Sequence, residues 1–203
     1  MNLREKSTEV RRVFDQLDQE VKAFMDVSQL TCISGCGKCC SNPKVSATVM
    51  EFIPLAFDLY DKGKAEAALD LLDSKTEDDW CIVYKSLSED GAMGFCSDYH
   101  NRGMICRLFS SSHRTNKHGQ KEIITCKKIK TEKQSAFELT AQAVNQGLEI
   151  PSSSGYYAQL FTIDQGLTAD QFPINQAIRK AIEHVLTYQF YTENQEPEAT
   201  DCF

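Results

Sequence analysis

The chain has 203 residues, a formal net charge of -7 and a hydrophobic fraction of 41%, enough length and apolar content to bury a core. The acidic balance speaks against non-specific binding to nucleic acid or to acidic membranes, both of which need clustered Lys and Arg to displace counterions. One basic stretch, Lys121 to Lys133, reads as a solvated face. The opening Met-Asn-Leu-Arg-Glu-Lys carries charge where a secretory peptide would carry its apolar core. No window approaches the ~20 apolar residues of a membrane span. A soluble cytoplasmic protein is expected, and nine cysteines are unusual in one.

Val10, Val13, Phe14, Leu17, Val21, Phe24 and Met25 recur at spacings of three and four between charged residues. This predicts an amphipathic helix over about residues 3–30, packed over the cysteine loop that succeeds it. That loop is Cys32-Ile-Ser-Gly-Cys36-Gly-Lys-Cys39-Cys40, four thiols in one short segment, ended by the turn signal Asn42-Pro43. Gly35 and Gly37 suit a backbone that must turn several sulfurs toward one point, because glycine tolerates positive φ. Thr48 and Glu51 have capping-box spacing ahead of Phe52, Leu55, Ala56 and Leu59. A short amphipathic helix to Gly63 is predicted, with Pro54 in its first turns. A third helix carries Ala65, Ala68, Leu71 and Leu72 on one side, before the acidic run from Glu77 to Asp79.

From Trp80 the periodicity changes. Cys81-Ile-Val-Tyr84 reads as extended, Ser88 to Gly91 as a turn, and Lys121 to Cys126 as a strand. Beyond Cys126 two helices are predicted, one with Ala136, Leu139, Ala143 and Val144, the other with Ile174, Ile178, Ile182 and Val185, and Pro151 to Gly155 forms a loop between them. Residues 193–203, with Cys202, read as a flexible tail. The expected fold is mainly α with a small irregular or β cysteine-rich metal-binding centre, a helix-dominated α+β arrangement. Residues 1–192 are expected to form a single domain with a cysteine-cluster core at about 30–130, because cysteines at both ends of that core must meet.

Bunched cysteines without a secretory context are ligands or redox groups rather than structural bridges, because cytosolic reductants keep thiols free and thiolates bind soft metals. The candidate metal ligands are Cys32, Cys36, Cys39, Cys40, Cys81, Cys96, Cys106 and Cys126. The second cluster reads Cys96-Ser-Asp-Tyr99-His-Asn-Arg102-Gly-Met-Ile-Cys106-Arg107-Leu-Phe109. With the loop at Cys32 it resembles the YkgJ-type cysteine-cluster family, the zinc- or iron-chelating proteins of bacteria. That family combines a compact group of four cysteines with a Cys-x-x-Tyr-x-x-Arg-Pro-x-x-Cys-Arg-x-Phe segment. Cys96, Tyr99, Arg102, Cys106, Arg107 and Phe109 fall on its positions in register, and the departure is Gly103 in place of proline.

Metal identity stays open at this level. Four thiolates suit tetrahedral zinc, while a cubane cluster uses four cysteines on different irons. Cys39 and Cys40 are adjacent, so their side chains are expected to diverge and serve different sites, and eight thiols suggest two sites or one with spare sulfurs. Cys32-x-x-x-Cys36-x-x-Cys39 also matches the spacing with which radical S-adenosylmethionine enzymes hold a cluster. Lys38 stands where those enzymes carry an aromatic residue, yet the spacing tilts the reading to an iron–sulfur cluster over zinc.

His100, His113 and His118 read as surface side chains that could replace a thiolate, and His184 as structural. Tyr99, Arg102 and Arg107 are expected around the metal, the tyrosine packing and the arginines either hydrogen-bonding to cluster sulfurs or pairing with acidic residues. A metal-binding role is favoured. The alternative is a metal-dependent enzyme, an oxidoreductase or modifying activity, with an open metal position and Arg102 or Arg107 orienting an anionic substrate. Flagellin lysine methylases, similar in the cysteine motif, show that such a module can be attached to an enzyme, but no glycine loop for S-adenosylmethionine is visible here. Metal-free thiol redox chemistry ranks last, because adjacent cysteines make strained disulfides. The metal is the one partner implied, with no nucleic acid and no membrane.

Overall fold

The computed structural model describes residues 1–193, so Cys202 and the expected tail lie outside the described residues. Helix α1 (Leu3–Ser28) starts at a reciprocal cap, in which the Asn2 side chain accepts from the Glu5 amide and the Glu5 carboxylate accepts from the Asn2 amide, both at 2.9 Å. It stops where Gln29 turns left-handed at φ 56°. Val10, Phe14, Leu17, Val21 and Phe24 form its buried stripe.

A 3₁₀ turn at Met50–Phe52 runs into α2 (Ile53–Asp61). The expected amphipathic character is corrected here: Ile53 through Phe57 are all buried, because α2 lies between α1 and α9 (Ile174–Glu193) and has no solvent side in its first turn. The α9 stripe Ile174, Ala177, Ile178, Ala181, Ile182 and Val185 faces it. Helix α3 (Ala65–Asp73) buries Ala65 and Leu72 and leaves Leu71 exposed.

The strands are more numerous than expected. β1 (Ser46–Thr48) pairs antiparallel with β6 (Gln171–Pro173), which ties the chain before α2 to the chain before α9. β2 (Tyr84–Ser86) pairs with β3 (Gly94–Cys96), and β4 (Ser112–Thr115) with β5 (Lys121–Ile124). The extended segment expected from Cys81 begins only at Tyr84, since the Tyr84 amide donates back to the Cys81 carbonyl at 2.9 Å and makes a turn of Cys81–Val83.

Between the hairpins lies α4 (Met104–Leu108), and after β5 come α5 (Lys127–Glu132) and α6 (Gln134–Asn145). Leu139, expected on the apolar side of α6, is exposed. Most of the expected loop at Pro151–Gly155 is the start of α7 (Ser153–Ile163). The Ser152 hydroxyl accepts from the Gly155 amide and caps it. A short α8 (Gln165–Ala169) leads to β6. The result is the expected helix-dominated α+β fold.

The core has two parts. The larger joins α1, α2, α4, α7 and α9, and the smaller gathers Phe24, Leu30, Ile123, Ile129, Val144 and Ile150, with Met25 packed against both. No helix among the described residues is long and apolar enough to cross a membrane. Leu17 is fully buried at the middle of α1, so Leu17→Ala is expected to cost about 2–5 kcal/mol in a urea melt. The exposed Val27 serves as control, and Val27→Ala is expected to stay within about 0.5 kcal/mol of the parent. A Leu17→Ala midpoint equal to that of the control would contradict this assignment of the core.

Candidate metal centre

The cysteine loop has little apolar content with which to hold itself, and backbone pairing supplies what packing does not. The Gly94 amide donates to the Gly35 carbonyl and the Gly37 amide to the Ala92 carbonyl, both at 2.9 Å, with an antiparallel bridge between Cys36 and Met93. The loop is therefore held by a single antiparallel bridge to the residues that lead into β3, outside the two-stranded β2–β3 hairpin. The two loop glycines serve different ends. Gly35 has φ +68°, as expected, but Gly37 does not need a positive φ. A Cβ at Gly37 would fall within 1.7 Å of the Tyr84 hydroxyl, whose oxygen lies 2.9 Å from the Gly91 carbonyl and 2.8 Å from that of Met93.

This pairing brings the early quartet to the later cysteines. Cys96 ends β3, and the Cys81 amide donates to the Cys40 carbonyl at 3.3 Å. Burial first, then the neighbouring charges of Cys81, Glu51, Cys39 and Cys96, push the Cys106 thiol up. Burial pushes Cys81 up to about 11, with Cys96 adding to it. Cys96 is also raised, mainly by burial. Cys32 is raised by burial and then by Cys39, Cys36 and Cys126. Cys39 thus lies in the electrostatic neighbourhood of Cys32 and Cys36 as well as of Cys96 and Cys106.

The adjacent pair departs from expectation. The sulfurs of Cys39 and Cys40 do not diverge but stand 3.9 Å apart. A hydrogen bond from Cys40 lowers the Cys39 thiol below the ordinary range, helped by the backbone amides of Cys39 and Cys40, and the same bond raises Cys40. Of the two thiols, Cys39 is the one whose ionisation is eased. Cys126 has a role not foreseen: it caps α5, its sulfur accepting from the Ile129 amide at 3.3 Å.

All eight candidate cysteines are free thiols. Among the described residues no group of three or more Cys, His, Asp or Glu side chains is arranged so as to hold a metal ion. The histidines sit elsewhere in the architecture. His113 is buried in β4, His118 is exposed in the β4–β5 turn, and His184 is exposed on α9. His100 is exposed, its ring 3.5 Å from the Arg11 guanidinium.

The two arginines are engaged. Arg107 is buried, donates to the carboxylate of Asp18 on α1 and to the carbonyls of Arg102 and His100, and lies over the Phe14 ring at 4.4 Å. Arg102 reaches the same carboxylate at 3.4 Å and stacks on the exposed Tyr99 ring at 3.8 Å. Of the two roles expected for them, the structure has the ion pair. Its acidic member, Asp18, carries no signal in the sequence beyond being one charged residue on a helix.

Glu51 is the other residue whose position was not foreseen. It is fully buried, with one oxygen accepting from the Thr48 amide at 2.8 Å and the Thr48 hydroxyl at 3.2 Å, and the other from the Ile105 amide at 2.8 Å. It therefore ties the chain before α2 to the N-terminal turn of α4, which carries Cys106. The capping box expected of Thr48 and Glu51 is only half present, since the Thr48 amide donates to Glu51 but neither the 3₁₀ turn nor α2 has a side-chain cap, and the reach of Glu51 across to α4 was not foreseen. Burial raises the Glu51 carboxyl above its ordinary range against those hydrogen bonds.

A family model described as "Putative zinc- or iron-chelating domain", with the motif CxxCxxCC, matches residues 31–139. The chain belongs to this zinc- or iron-chelating CxxCxxCC family. No curated protein and no solved structure matches it. The matched region begins just before Cys32 and takes in all eight of the candidate cysteines, both engaged arginines and α4.

Gly103, where the resembling motif carries proline, has a local cause. A Cβ there would meet Phe52 Cζ at 2.8 Å and Glu51 Oε2 at 3.1 Å, although its backbone φ of -65° suits proline. Gly103→Pro is expected to cost about 1–3 kcal/mol by overpacking, and the double variant with Phe52→Leu to recover part of that loss. Equal stability of the two variants in chemical denaturation would refute the steric account. Arg107→Lys is expected to lose about 2 kcal/mol, because an ammonium cannot meet the Asp18 carboxylate and both carbonyls in the guanidinium plane. An unchanged urea midpoint would show that Arg107 does not brace the segment.

Proposed function

We propose that the chain is a metal-binding protein whose eight clustered cysteines, Cys32, Cys36, Cys39, Cys40, Cys81, Cys96, Cys106 and Cys126, hold an iron–sulfur cluster or zinc. The observation that carries this reading is the meeting of the early quartet with the later cysteines, the Cys81 amide on the Cys40 carbonyl and Cys106 in the field of Cys39. The donor set fits a soft metal: thiols only, the Cys39 thiol lowered by its neighbour, on a loop bridged at Cys36 to Met93.

Cys32, Cys36 and Cys39 with Cys126 form one candidate set, and the loop spacing favours an iron–sulfur cluster there. Cys40, Cys81, Cys96 and Cys106 form the other, a closed four-thiolate set of the kind zinc occupies in structural sites. The same reading takes residues 1–192 as one domain, because Cys32 and Cys126 lie in one set. Tyr99, Arg102 and Arg107 support the ligands from outside through Asp18. Those engaged guanidiniums favour metal holding over an enzyme that would use them on an anionic substrate.

Oxygen-free purification with elemental analysis and visible spectroscopy tests this directly. The protein is expected to carry iron with acid-labile sulfide and a broad absorbance near ~400 nm, or zinc without colour. Cys36→Ser is expected to lose metal from the first set and Cys106→Ser from the second. Full metal content in both variants, or none in the parent, would sink the proposal.

A further inference from the structure

The Lys121 to Lys133 stretch, legible only as a solvated face, lines a groove in the structure. Arg114, Lys121 and Lys130 edge a hollow of about 500 Å³ floored by Ile123, Phe137 and Ala141, between β5 and α6. The volume falls within the range of small-molecule sites, roughly 300–1,000 Å³. Residues 114–133 hold seven of the 22 lysines and arginines of the chain against two acidic residues, Glu122 and Glu132, in a chain whose overall charge is -7. This charge is concentrated against the average of the molecule, which is the condition for selecting an anion rather than repelling it.

Within the groove the charges are unevenly matched. Glu122 is the acidic residue of the lining, and it is taken by Arg114 at 3.0 Å and by the Asn116 amide at 3.1 Å. Among the described residues neither Lys121 nor Lys130 has a carboxylate in an ion pair. Lys130 lies 5.1 Å over the Phe137 ring, and Lys121 is close enough to His113 to lower its pKa, after burial. A second, independent feature is the Thr125 hydroxyl. It lines the same groove, is buried, and has no hydrogen-bond partner. An unpaired buried hydroxyl is unfavourable, and an acceptor atom in the groove would satisfy it.

We propose that this groove binds a small organic anion of the mononucleotide class, its phosphate toward Arg114, Lys121 and Lys130 and its planar body on Phe137. The charge excess suits a phosphate dianion, and the half-buried aromatic face beneath Lys130 suits a flat ring. The site is separate from the thiols in its chemistry, so it stands or falls independently of which metal they hold. It is nevertheless joined to them by the chain, since Thr125 directly precedes Cys126.

Calorimetric titration of the full chain, as isolated with its metal, with adenosine 5'-monophosphate at about 50 mM salt tests the proposal. A monophosphate is chosen because it competes weakly for metal. Saturable binding at one site is expected, with adenosine and inorganic phosphate each weaker by at least about tenfold. Lys121→Gln with Lys130→Gln is expected to lower affinity for the monophosphate by about tenfold or more, at unchanged metal content and thermal midpoint. Phe137→Leu is expected to weaken the nucleotide and leave phosphate unaffected. No saturable binding up to about 5 mM, or full affinity in the double lysine variant, overturns the proposal. Binding of a single-stranded RNA without binding of the monophosphate overturns it too, in favour of an extended polyanion.

Discussion

Eight thiols gathered in one region repel one another as soon as they ionise, and nothing in their own chemistry draws them together. Each that loses its proton raises the cost of the next, which is why Cys32, Cys96 and Cys106 are all pushed up partly by their neighbours. The scaffold must therefore hold the sulfurs against their own field until a cation balances it. Backbone hydrogen bonds do so, because they do not depend on charge: Gly35 and Gly37 on β3, and Cys40 on Cys81. Only at the Cys39–Cys40 pair does the arrangement favour a thiolate, with one sulfur donating to the other.

The segment from Cys96 to Cys106 is secured differently. It has a five-residue helix that buries Met104 and Leu108 in the larger core, and two polar side chains from that core also reach out to it. Glu51 accepts from the Ile105 amide, and Asp18 takes both arginines. An acceptor at a helix N-terminus also meets amides that the helix itself cannot satisfy. The Arg107 guanidinium joins a carboxylate, two carbonyls and an aromatic face in one plane, so removing it would leave several polar groups unmatched at once.

How much could be read in the sequence depends on the range of the interaction that carries it. The stripes of α1 and α9 repeat every three or four residues, and the period alone gives the helices. The thiol clusters were equally visible, as was the register of Tyr99, Arg102 and Arg107 with the family motif. Contacts across long separations left no such trace. Asp18 meets Arg107 across 89 residues and Glu51 meets Ile105 across 54, and no local pattern marks either acid. Gly37 was read for its tolerance of positive φ, when its lack of a side chain is what leaves room for the Tyr84 hydroxyl. α4 is too short to show a period, and Cys126 is not a residue type that announces a helix cap.

The three small sheets bear on how the thiol region depends on its ligand. A two-stranded hairpin is marginal by itself, and β2–β3 carries exposed Leu87, Met93 and Phe95 rather than a covered apolar face. Its buried members are Tyr84 and Gly94, which are also the groups that hold the cysteine loop. Hairpin and loop thus stabilise each other, and they meet the larger core through Tyr84, Cys81 and Cys40. The helical core of α1, α2 and α9 has no such dependence, since its contacts are apolar and continuous. A ligand that joins loop to hairpin would add its binding free energy to the part of the molecule with least of its own. Loss of that ligand would accordingly loosen the thiol region first and leave the helical core in place.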